Sequence, residues 1–327
     1  MRTPVLIGTV TAALIGAAAV PIYVNYARDI GAARARIATG SSVIETSRGA
    51  IEYADIGSGP VVLSIHGTGG GFDQGLLLAK QLGIDPASYR IIAPSRYGYL
   101  RTPMPNSDTT PIAEADAHAS LLDALGIRVK VIVAGASAGA LSATQFAIRY
   151  PDRVAVLILT VPANWAPPSE LDSSKAEVGG NSFIMDVVLR SDFLMWAFMK
   201  VAGSDMAAFI GVPKELQQNL SVEDKTNIAE TLNGILPVSQ RYRGILKEAA
   251  NHAARQRDPV ERIQAPTLIV DARDMGTFAG AKYTTEHISN AQLVAYERGG
   301  HLLIGHGPDT RAAIRDFLNH AHATVGV

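Results

Sequence analysis

Short runs of apolar, mostly β-branched residues recur along the chain and alternate with longer segments in which apolar residues return every three or four positions. The short runs are typical of buried strands and the longer segments of amphipathic helices. Two further short runs flank Arg48-Gly49 and predict a β-hairpin. The predicted buried strands are PVVLSIHG, YRIIAPS, VKVIVAG, VAVLILTVP, PTLIVDA and AQLVAYER. This alternation indicates an α/β fold with a mostly parallel sheet flanked by helices on both faces.

The alternation stops in the second half of the chain. Residues 163–255 lack any strand pattern and contain apolar stretches at helical spacing, such as SFIMDVVLRSDFLMWAFMKVAG. We therefore predict a helical cap, or lid, inserted into a core formed by residues 41–162 and 256–327. The apolar and aromatic side chains of this cap are expected to form its own core, with some as candidate pocket lining: Met185, Phe193, Met195, Trp196, Phe198 and Met199.

The N-terminal 40 residues are predicted to be a membrane segment and a linker. Residues 5–24 carry no charge and are long enough to cross a hydrocarbon layer of about 30 Å. A retained single anchor is favoured because the apolar run continues to Val24. The alternatives are a cleaved signal peptide, which would leave a secreted or periplasmic protein, and a buried core helix. Because the sheet is predicted to start after Gly40, residues 1–36 are expected to be dispensable for folding.

Composition narrows the possible functions. The 327 residues are 47% hydrophobic, which supplies a substantial core, and the formal net charge is −1. Nucleic acid is not an expected partner, because the chain has no basic stripe. The chain contains no cysteine, which excludes a thiol nucleophile, disulfides and cysteine-bound zinc. No metal-ligand spacing or nucleotide-binding motif is present, so no cofactor or metal is predicted.

A candidate nucleophile follows the run VKVIVAG. Ser137 lies at the centre of Gly135-Ala136-Ser137-Ala138-Gly139, between a predicted strand and a predicted helix that Pro151 ends. Such a strand-turn-helix holds the serine in a strained conformation with its hydroxyl exposed at the sheet edge. The small flanking residues allow the strand and the helix to approach closely. Ser137 is therefore the predicted catalytic nucleophile.

A serine nucleophile needs a base, and the base needs an acid that orients it. His301 follows the strand AQLVAYER and two glycines, which favours it over its rival His306 as the base. Asp274 lies in the loop after PTLIVDA and is the preferred acid. The alternative acid is Asp271 at the end of that strand, which could instead have a structural role. Loops after parallel strands gather functional residues at one sheet edge.

The remaining catalytic part is an oxyanion hole. The glycine-rich segment His66-Gly67-Thr68-Gly69-Gly70-Gly71 follows the strand PVVLSI. The backbone N–H groups of Thr68 and Ala138 are the predicted oxyanion donors. His66 is expected to brace this loop rather than to take part in catalysis.

The chain resembles the α/β-hydrolase fold family over roughly residues 41–322. The order of Ser137, Asp274 and His301 along the chain is that of the family. Within it, the sequence is similar to lid-bearing esterases, cofactor-free haloperoxidases and meta-cleavage carbon-carbon bond hydrolases. It departs from the meta-cleavage pattern at Ala140 and Leu302. A further departure is SRYGYLRT at residues 95–102, where the family usually has Asp-x-x-Gly-x-Gly-x-Ser.

The expected function is that of a serine hydrolase that cleaves a small or medium apolar ester through an acyl-enzyme intermediate. The same residues could support carbon-carbon bond hydrolysis or cofactor-free perhydrolysis, because fold and triad do not fix the substrate. An alternative of another class is a non-catalytic, membrane-tethered binding protein.

Overall fold

The computed structural model describes the backbone of residues 3–171 and 183–325, and the side chains of residues 19–171, 186–203 and 205–321. The strands are β1 (Ser42–Thr46), β2 (Gly49–Ile56), β3 (Val61–Ile65), β4 (Arg90–Pro94), β5 (Val131–Ala136), β6 (Val154–Thr160), β7 (Thr267–Ala272) and β8 (Ala291–Tyr296). The helices are α1 (Thr3–Ala38), α2 (Phe72–Gln81), α3 (Pro111–Ala124), α4 (Gly139–Arg149), α5 (Phe183–Leu189), α6 (Asp192–Ala202), α7 (Ser204–Phe209), α8 (Val222–Gly234), α9 (Tyr242–Ala253), α10 (Phe278–His287) and α11 (Gly307–Val325).

All eight of these strands form one sheet in the order β1-β2-β4-β3-β5-β6-β7-β8. The strands β1 and β2 form the predicted hairpin, and β2 pairs antiparallel with β4. From β4 to β8 every neighbouring pair is parallel. The predicted mostly parallel sheet is confirmed.

The central strands are almost entirely apolar, with Ser64 and Thr160 as buried polar exceptions, because helices cover both faces of the sheet. Every residue of β3 and of β6 is buried. Successive side chains contribute to different core clusters: Leu63 and Val133 belong to one, and Val62 and Ile132 to the other. This explains why the strand runs show no alternation of polar and apolar residues.

Between β6 and β7 the described residues form the helices α5 to α9 and no strand. We call residues 163–255 the helical insertion, and its boundaries as a separate cap stay a prediction. The insertion has its own hydrophobic cluster, to which Met195 and Trp196 contribute buried side chains. Phe198 and Met199 pack against that cluster, which agrees with the expected core role, whereas Met185 lies outside the residues whose side chains are described.

The helix α1 packs against the insertion through its C-terminal half. Ile30 and Ala33 are buried in the insertion's cluster, and Arg36 donates hydrogen bonds to the carbonyl oxygens of Asn233 and Leu236, at 3.0 and 2.7 Å. These contacts argue against the expectation that residues 1–36 are dispensable, because part of α1 belongs to a core.

The predicted membrane segment, residues 5–24, lies within α1. The side chains of residues 5–18 are outside the described part of the structure. Among the helices that the structure does describe, none combines the length and the apolar character needed to cross a bilayer. The N-terminal anchor therefore stays a prediction.

Candidate active site

Ser137 occupies a sharp turn between β5 and α4. Its φ is 52°, in the left-handed region that residues with a side chain rarely adopt. Its N–H donates to the carbonyl of Thr160 at 3.0 Å, and its own carbonyl accepts from Ala140 and Ala163 at 3.0 and 3.1 Å. These three bonds hold the strained backbone in place, as expected at a functional turn.

Glycine is required around this turn because other parts of the chain approach it closely. A Cβ added to Gly139 would lie 2.3 Å from the carbonyl oxygen of His66, and one added to Gly135 would lie 2.7 Å from the Cβ of Ala143. A Cβ on Gly67 would lie 3.2 Å from the Cβ of Ser137. The glycine-rich loop therefore passes directly beside the serine.

The predicted oxyanion donors lie at the same place. Thr68 lines the cavity that contains Ser137, and Ala138 immediately precedes α4. Within the described residues, neither the Thr68 nor the Ala138 N–H donates a hydrogen bond to a protein acceptor. The roles of these two N–H groups as oxyanion donors stay a prediction.

His66 braces the glycine-rich loop from below. Its Nδ1 donates to the carbonyl of Gly67 at 2.7 Å, and its Nε2 accepts the backbone N–H of Arg96 at 3.0 Å. Burial, together with the positive charge of Arg96, holds the pKa of His66 well below its usual range. A neutral imidazole with both nitrogens engaged agrees with the predicted structural role.

His301 lines the same cavity as Ser137. Its backbone N–H donates to the carbonyl of Gly211 in the helical insertion at 2.7 Å. Burial lowers the pKa of His301 to about 4, because desolvation disfavours the charged imidazolium. Its buried Nδ1 makes no hydrogen bond with the described part of the protein.

Asp274 lies in the loop after β7 and contacts the loop that carries His301. Its Oδ2 accepts the N–H of Gly299 at 3.1 Å, and its Oδ1 accepts that of Gly300 at 3.1 Å. The structure thus brings Asp274 to the backbone beside His301 and shows no hydrogen bond between this carboxylate and the imidazole. Catalytic hydrogen bonds are often long before substrate binds and shorten in the complex.

The two rival residues are engaged elsewhere. Asp271 is fully buried in β7, where its Oδ1 accepts the N–H of Ala272 at 2.7 Å and the hydroxyl of Thr277 at 3.2 Å. His306 donates from Nε2 to the carbonyl of Arg298 at 2.8 Å, and its ring stacks on Tyr296. Neither Asp271 nor His306 lines the cavity.

The cavity has a volume of about 170 Å³ and extends from the serine turn between α2, α8 and the start of α11. Its walls are mainly apolar. The apolar lining includes Leu77, Leu78, Val161, Ile210, Ile235, Leu302 and Leu303, and the polar lining includes Gln74, Gln81, Asn227, Thr231, Thr310 and Arg311. Among the polar lining residues, the guanidinium of Arg311 is paired with Glu223.

Sequence reasoning missed most of this wall. None of the described candidates among the aromatic and methionine residues of the insertion lines the cavity. Their place is taken by α2, which was not predicted, and by α8. The available signal was the pattern FDQGLLLAKQ directly after the glycine-rich loop, where buried Phe72 and Leu78 mark the inner face of a helix.

A second unpredicted feature is a buried group of four charges between the sheet domain and the insertion. Arg96 pairs with Glu114 and Glu248 at 3.1 and 2.6 Å, and Lys247 pairs with the same two carboxylates. Although burial opposes its ionisation, Lys247 and Arg96 lower the pKa of Glu114 to about 2. The group ties α9 of the insertion to α3 of the core.

The described residues contain no group of three or more histidine, aspartate or glutamate side chains that could hold a metal ion.

Comparisons with known proteins agree with this architecture. A family model described as "Alpha/beta hydrolase family" matches residues 61–314. The 2-hydroxy-6-oxo-6-phenylhexa-2,4-dienoate hydrolase of Comamonas testosteroni is 34% identical over 115 residues, which are 34% of this chain and 40% of that protein. Epoxide hydrolase 3 of Siraitia grosvenorii is 35% identical over 120 residues, 35% of this chain and 36% of that protein. The chain thus spans two fifths or less of these relatives' length.

Among solved structures, an alpha/beta hydrolase fold protein from Nakamurella multipartita superimposes with a TM-score of 0.63. It is 25% identical in sequence, and the alignment covers 84% of this chain and 98% of that one. The similarity in structure therefore extends over nearly the whole neighbour, including the sheet on which the candidate site is built.

Proposed function

The chain belongs to the alpha/beta hydrolase family, and we propose that it is a serine hydrolase that cleaves small or medium apolar esters through an acyl-enzyme intermediate. One observation carries the proposal: Ser137, on a strained turn, and His301 line one mainly apolar cavity together with Thr68, a predicted oxyanion donor. A nucleophile, a base and oxyanion donors around one space are the parts that acyl transfer needs.

The proposed reaction has two steps. The Oγ of Ser137 attacks the ester carbonyl while the imidazole of His301 takes the hydroxyl proton. The Thr68 and Ala138 N–H groups stabilise the negative oxygen of the tetrahedral intermediate. The protonated imidazole then gives its proton to the leaving alcohol, and a water molecule, activated by the same imidazole, releases the acid and restores Ser137.

We propose that Asp274 is the acid of this triad. Its carboxylate is held by the N–H groups of Gly299 and Gly300, so it lies beside the base without touching the ring. In the catalytic complex, a contact between this carboxylate and Nδ1 of His301 would fix the tautomer and stabilise the imidazolium. The buried Nδ1, which lacks a hydrogen bond, supports this role.

The cavity supports the substrate class. A volume of about 170 Å³ is of the size that holds a small aromatic ring, judging from cavities of about 150 Å³ that bind benzene in other proteins. The lining combines leucine and isoleucine side chains with amides, hydroxyls and the paired Arg311. We therefore expect an ester with a short apolar acyl or alcohol group and at most a polar uncharged substituent.

A second candidate reaction is carbon-carbon bond hydrolysis, which the similarity to the Comamonas testosteroni dienoate hydrolase favours. The match covers 115 residues only. Ala140 and Leu302 also differ from the pattern of the meta-cleavage group. We rank ester hydrolysis first because the cavity offers no unpaired cationic side chain among its described lining residues for a dienoate carboxylate.

Attachment to a membrane through residues 5–24 is part of the proposal, because this run is uncharged and continues directly into the docked half of α1. Its length matches the hydrocarbon layer of a bilayer.

The deciding experiment is a panel of p-nitrophenyl esters of increasing acyl length, run beside a 2-hydroxy-6-oxo-dienoate. Ser137→Ala is the matched control, because alanine keeps the turn and removes only the hydroxyl. We expect wild-type turnover to peak at short or medium acyl chains, and the variant to lose on the order of 10⁴-fold or more in kcat. A fluorophosphonate probe should label the wild type and not the variant.

Faster turnover of the dienoate than of every ester would favour the second candidate. Absence of both labelling and turnover would support the alternative of a non-catalytic binding protein.

A further inference from the structure

The outward side of α6 is apolar along its whole length. At 100° per residue, five apolar side chains share one arc of the helix. Phe193, Leu194 and Val201 are exposed, and Ala197 and Phe198 between them are partly buried against the insertion's cluster. Val201 is 87% exposed. The opposite side carries Met195 and Trp196, which are buried in the insertion's cluster. A helix on a protein surface normally shows polar residues on its outer side.

The neighbouring part of α1 continues this surface. Exposed apolar residues cover α1 just before its docked half: Val20, Ile22, Tyr23 and Val24. The ring of Tyr26 makes edge contacts with Phe193 and Trp196, with ring centroids 5.2 and 5.6 Å apart. The exposed apolar parts of α1 and α6 therefore adjoin at the Tyr26–Phe193 contact. We call these α1 and α6 side chains the apolar face.

Polar contacts fix the two helices to each other next to this face. The indole N–H of Trp196 donates to Asp29 at 3.0 Å, and Lys200 pairs with the same carboxylate at 3.0 Å. These partners, with Arg28, lower the pKa of Asp29 to about 2. Arg34 pairs with Asp192 at 3.2 Å. The apolar face is thus a fixed surface bordered by basic and aromatic side chains.

The chain before this surface indicates what covers it. Residues 5–24 contain no charged side chain, and the last of them form part of the apolar face itself. The exposed ring of Tyr23 and the partly exposed ring of Tyr26 lie at this border with Arg28 and Lys200, and tyrosine beside basic residues is a pattern found where proteins meet the headgroup layer. The apolar face adjoins the C-terminal end of residues 5–24. The outer side of α6 therefore lies next to the place where this uncharged run would enter a bilayer.

We propose that the apolar face docks on the surface of a lipid bilayer, so that the helical insertion rests on the membrane to which residues 5–24 attach the chain. The proposal rests on that attachment and is independent of the reaction at Ser137. It assigns a lipid-contacting role to α6, which lies at least 168 residues after the uncharged run in the sequence.

Because the chain contains no cysteine, one introduced cysteine allows a single fluorophore to be attached at a chosen position. Full-length Val201→Cys is labelled with the environment-sensitive dye NBD and mixed with vesicles of phosphatidylcholine and phosphatidylglycerol. The matched control is Val129→Cys, because Val129 is also an exposed valine, with 63% of its surface accessible. It lies just before the start of β5, at the end of the sheet opposite to the serine turn. Thermal midpoints of both labelled chains check that they fold alike.

We expect the dye at position 201 to shift to shorter wavelength with vesicles and to be quenched by a nitroxide lipid, while the dye at 129 changes in neither respect. If the chain sediments with vesicles but both dyes stay in water, the docking proposal is wrong while the N-terminal attachment stands. A chain that does not bind vesicles overturns both. A shift at position 201 that grows with protein concentration in the absence of lipid would assign the face to a second copy of the chain and overturn the proposal.

Discussion

Asp271 and Asp274 show how three residues of separation can lead to different environments. Asp271 lies within β7 and ties the strand end to Ala272 and Thr277. Asp274 lies past the strand and takes the N–H groups of Gly299 and Gly300. The two bonds of Asp274 attach it to the loop that carries the candidate base. The chemical difference between the two carboxylates is therefore one of location.

This difference gives a paired prediction. Asp274→Asn should lower turnover by up to about 10⁴-fold, because an amide favours the wrong tautomer of His301. Asp271→Asn should change turnover by less than about tenfold. It should instead lower the thermal midpoint, because the N–H of Ala272 or the hydroxyl of Thr277 loses a charged acceptor. Turnover and thermal midpoint are measured for both variants. A large catalytic loss confined to Asp271→Asn would transfer the acid role to that residue.

The pKa of His301 gives a prediction about pH. An ordinary histidine base would lose its activity below about pH 6.5. Burial lowers the pKa of His301 to about 4, so kcat/KM should stay nearly constant through pH 6 and fall only as the pH approaches 4. A profile of kcat/KM for a p-nitrophenyl ester between pH 4 and 8, in buffers of constant ionic strength, checks this. A midpoint at pH 6.5 or above would contradict it.

The lowered pKa of His301 also affects the stability of the fold at acidic pH. His301 and His118 both have a pKa lowered to about 4 by burial, and the unfolded chain binds protons at these sites nearer pH 6.5. Between these values the unfolded state binds more protons than the folded state, so stability falls as the pH is lowered from about 6.5 toward 4. Thermal midpoints measured beside the pH profile separate this loss from a loss of catalysis.

Among the elements, α9 is attached to the core by charge rather than by an apolar face. Its residues Lys247 and Glu248 are buried against Arg96 and Glu114, and the four charges sum to zero. Such a group contributes little net stability when intact, but removing one member leaves an uncompensated buried charge. The contribution of this group to the attachment of α9 therefore depends on all four side chains.

Lys247→Met should lower the free energy of unfolding by about 3–5 kcal/mol, because Glu114 and Glu248 then share a single cation. The control is Lys282→Met, since Lys282 is half exposed and pairs with Glu286 at 3.6 Å one helical turn away. A surface pair of this kind contributes less than about 1 kcal/mol. Urea unfolding of both variants gives the comparison. Equal, small losses would show that the buried group does not hold α9.

The helix α1 also acts at the scale of an element, and the sequence misjudged it. The predicted boundary after Gly40 assigns residues 1–40 to a membrane segment and linker, of which residues 1–36 are expected to be dispensable for folding. In the structure, Ile30 and Ala33 are buried under α6, and Arg34 pairs with Asp192. Helical spacing of alanine and arginine in this segment predicts a helix and does not indicate what it packs against.

For the whole molecule, this packing predicts different results from two truncations. Removing residues 1–24 deletes the uncharged run and keeps the docked half of α1. Removing residues 1–36 also exposes Met195 and Trp196, so its thermal midpoint should be lower than that of the shorter truncation by about 5 °C or more. Differential scanning calorimetry of the two truncated chains measures both thermal midpoints. Equal midpoints would show that α1 adds nothing to the fold.

The features of this protein that depend on short stretches of chain could be predicted from its amino-acid sequence. The strand runs, the hairpin around Arg48 and the serine turn each follow from fewer than 20 consecutive residues, because strand burial and glycine-dependent turns are set locally. The order of these elements was enough to predict the mostly parallel sheet. It also placed Ser137 and His301 at the same sheet edge.

The surroundings of Ser137 and His301 depend on contacts between distant parts of the chain and could not be predicted in this way. The cavity wall joins α2 to α8, which are about 150 residues apart, and the buried charges join Arg96 to Lys247 across 151 positions. The apolar face joins α1 to α6 across a similar separation. Hydrophobic periodicity shows that a helix has a buried side, but it does not identify the partner, because burial is non-directional and any apolar surface can satisfy it. The partners, and with them the shape of the site, are set by the packing of the whole chain.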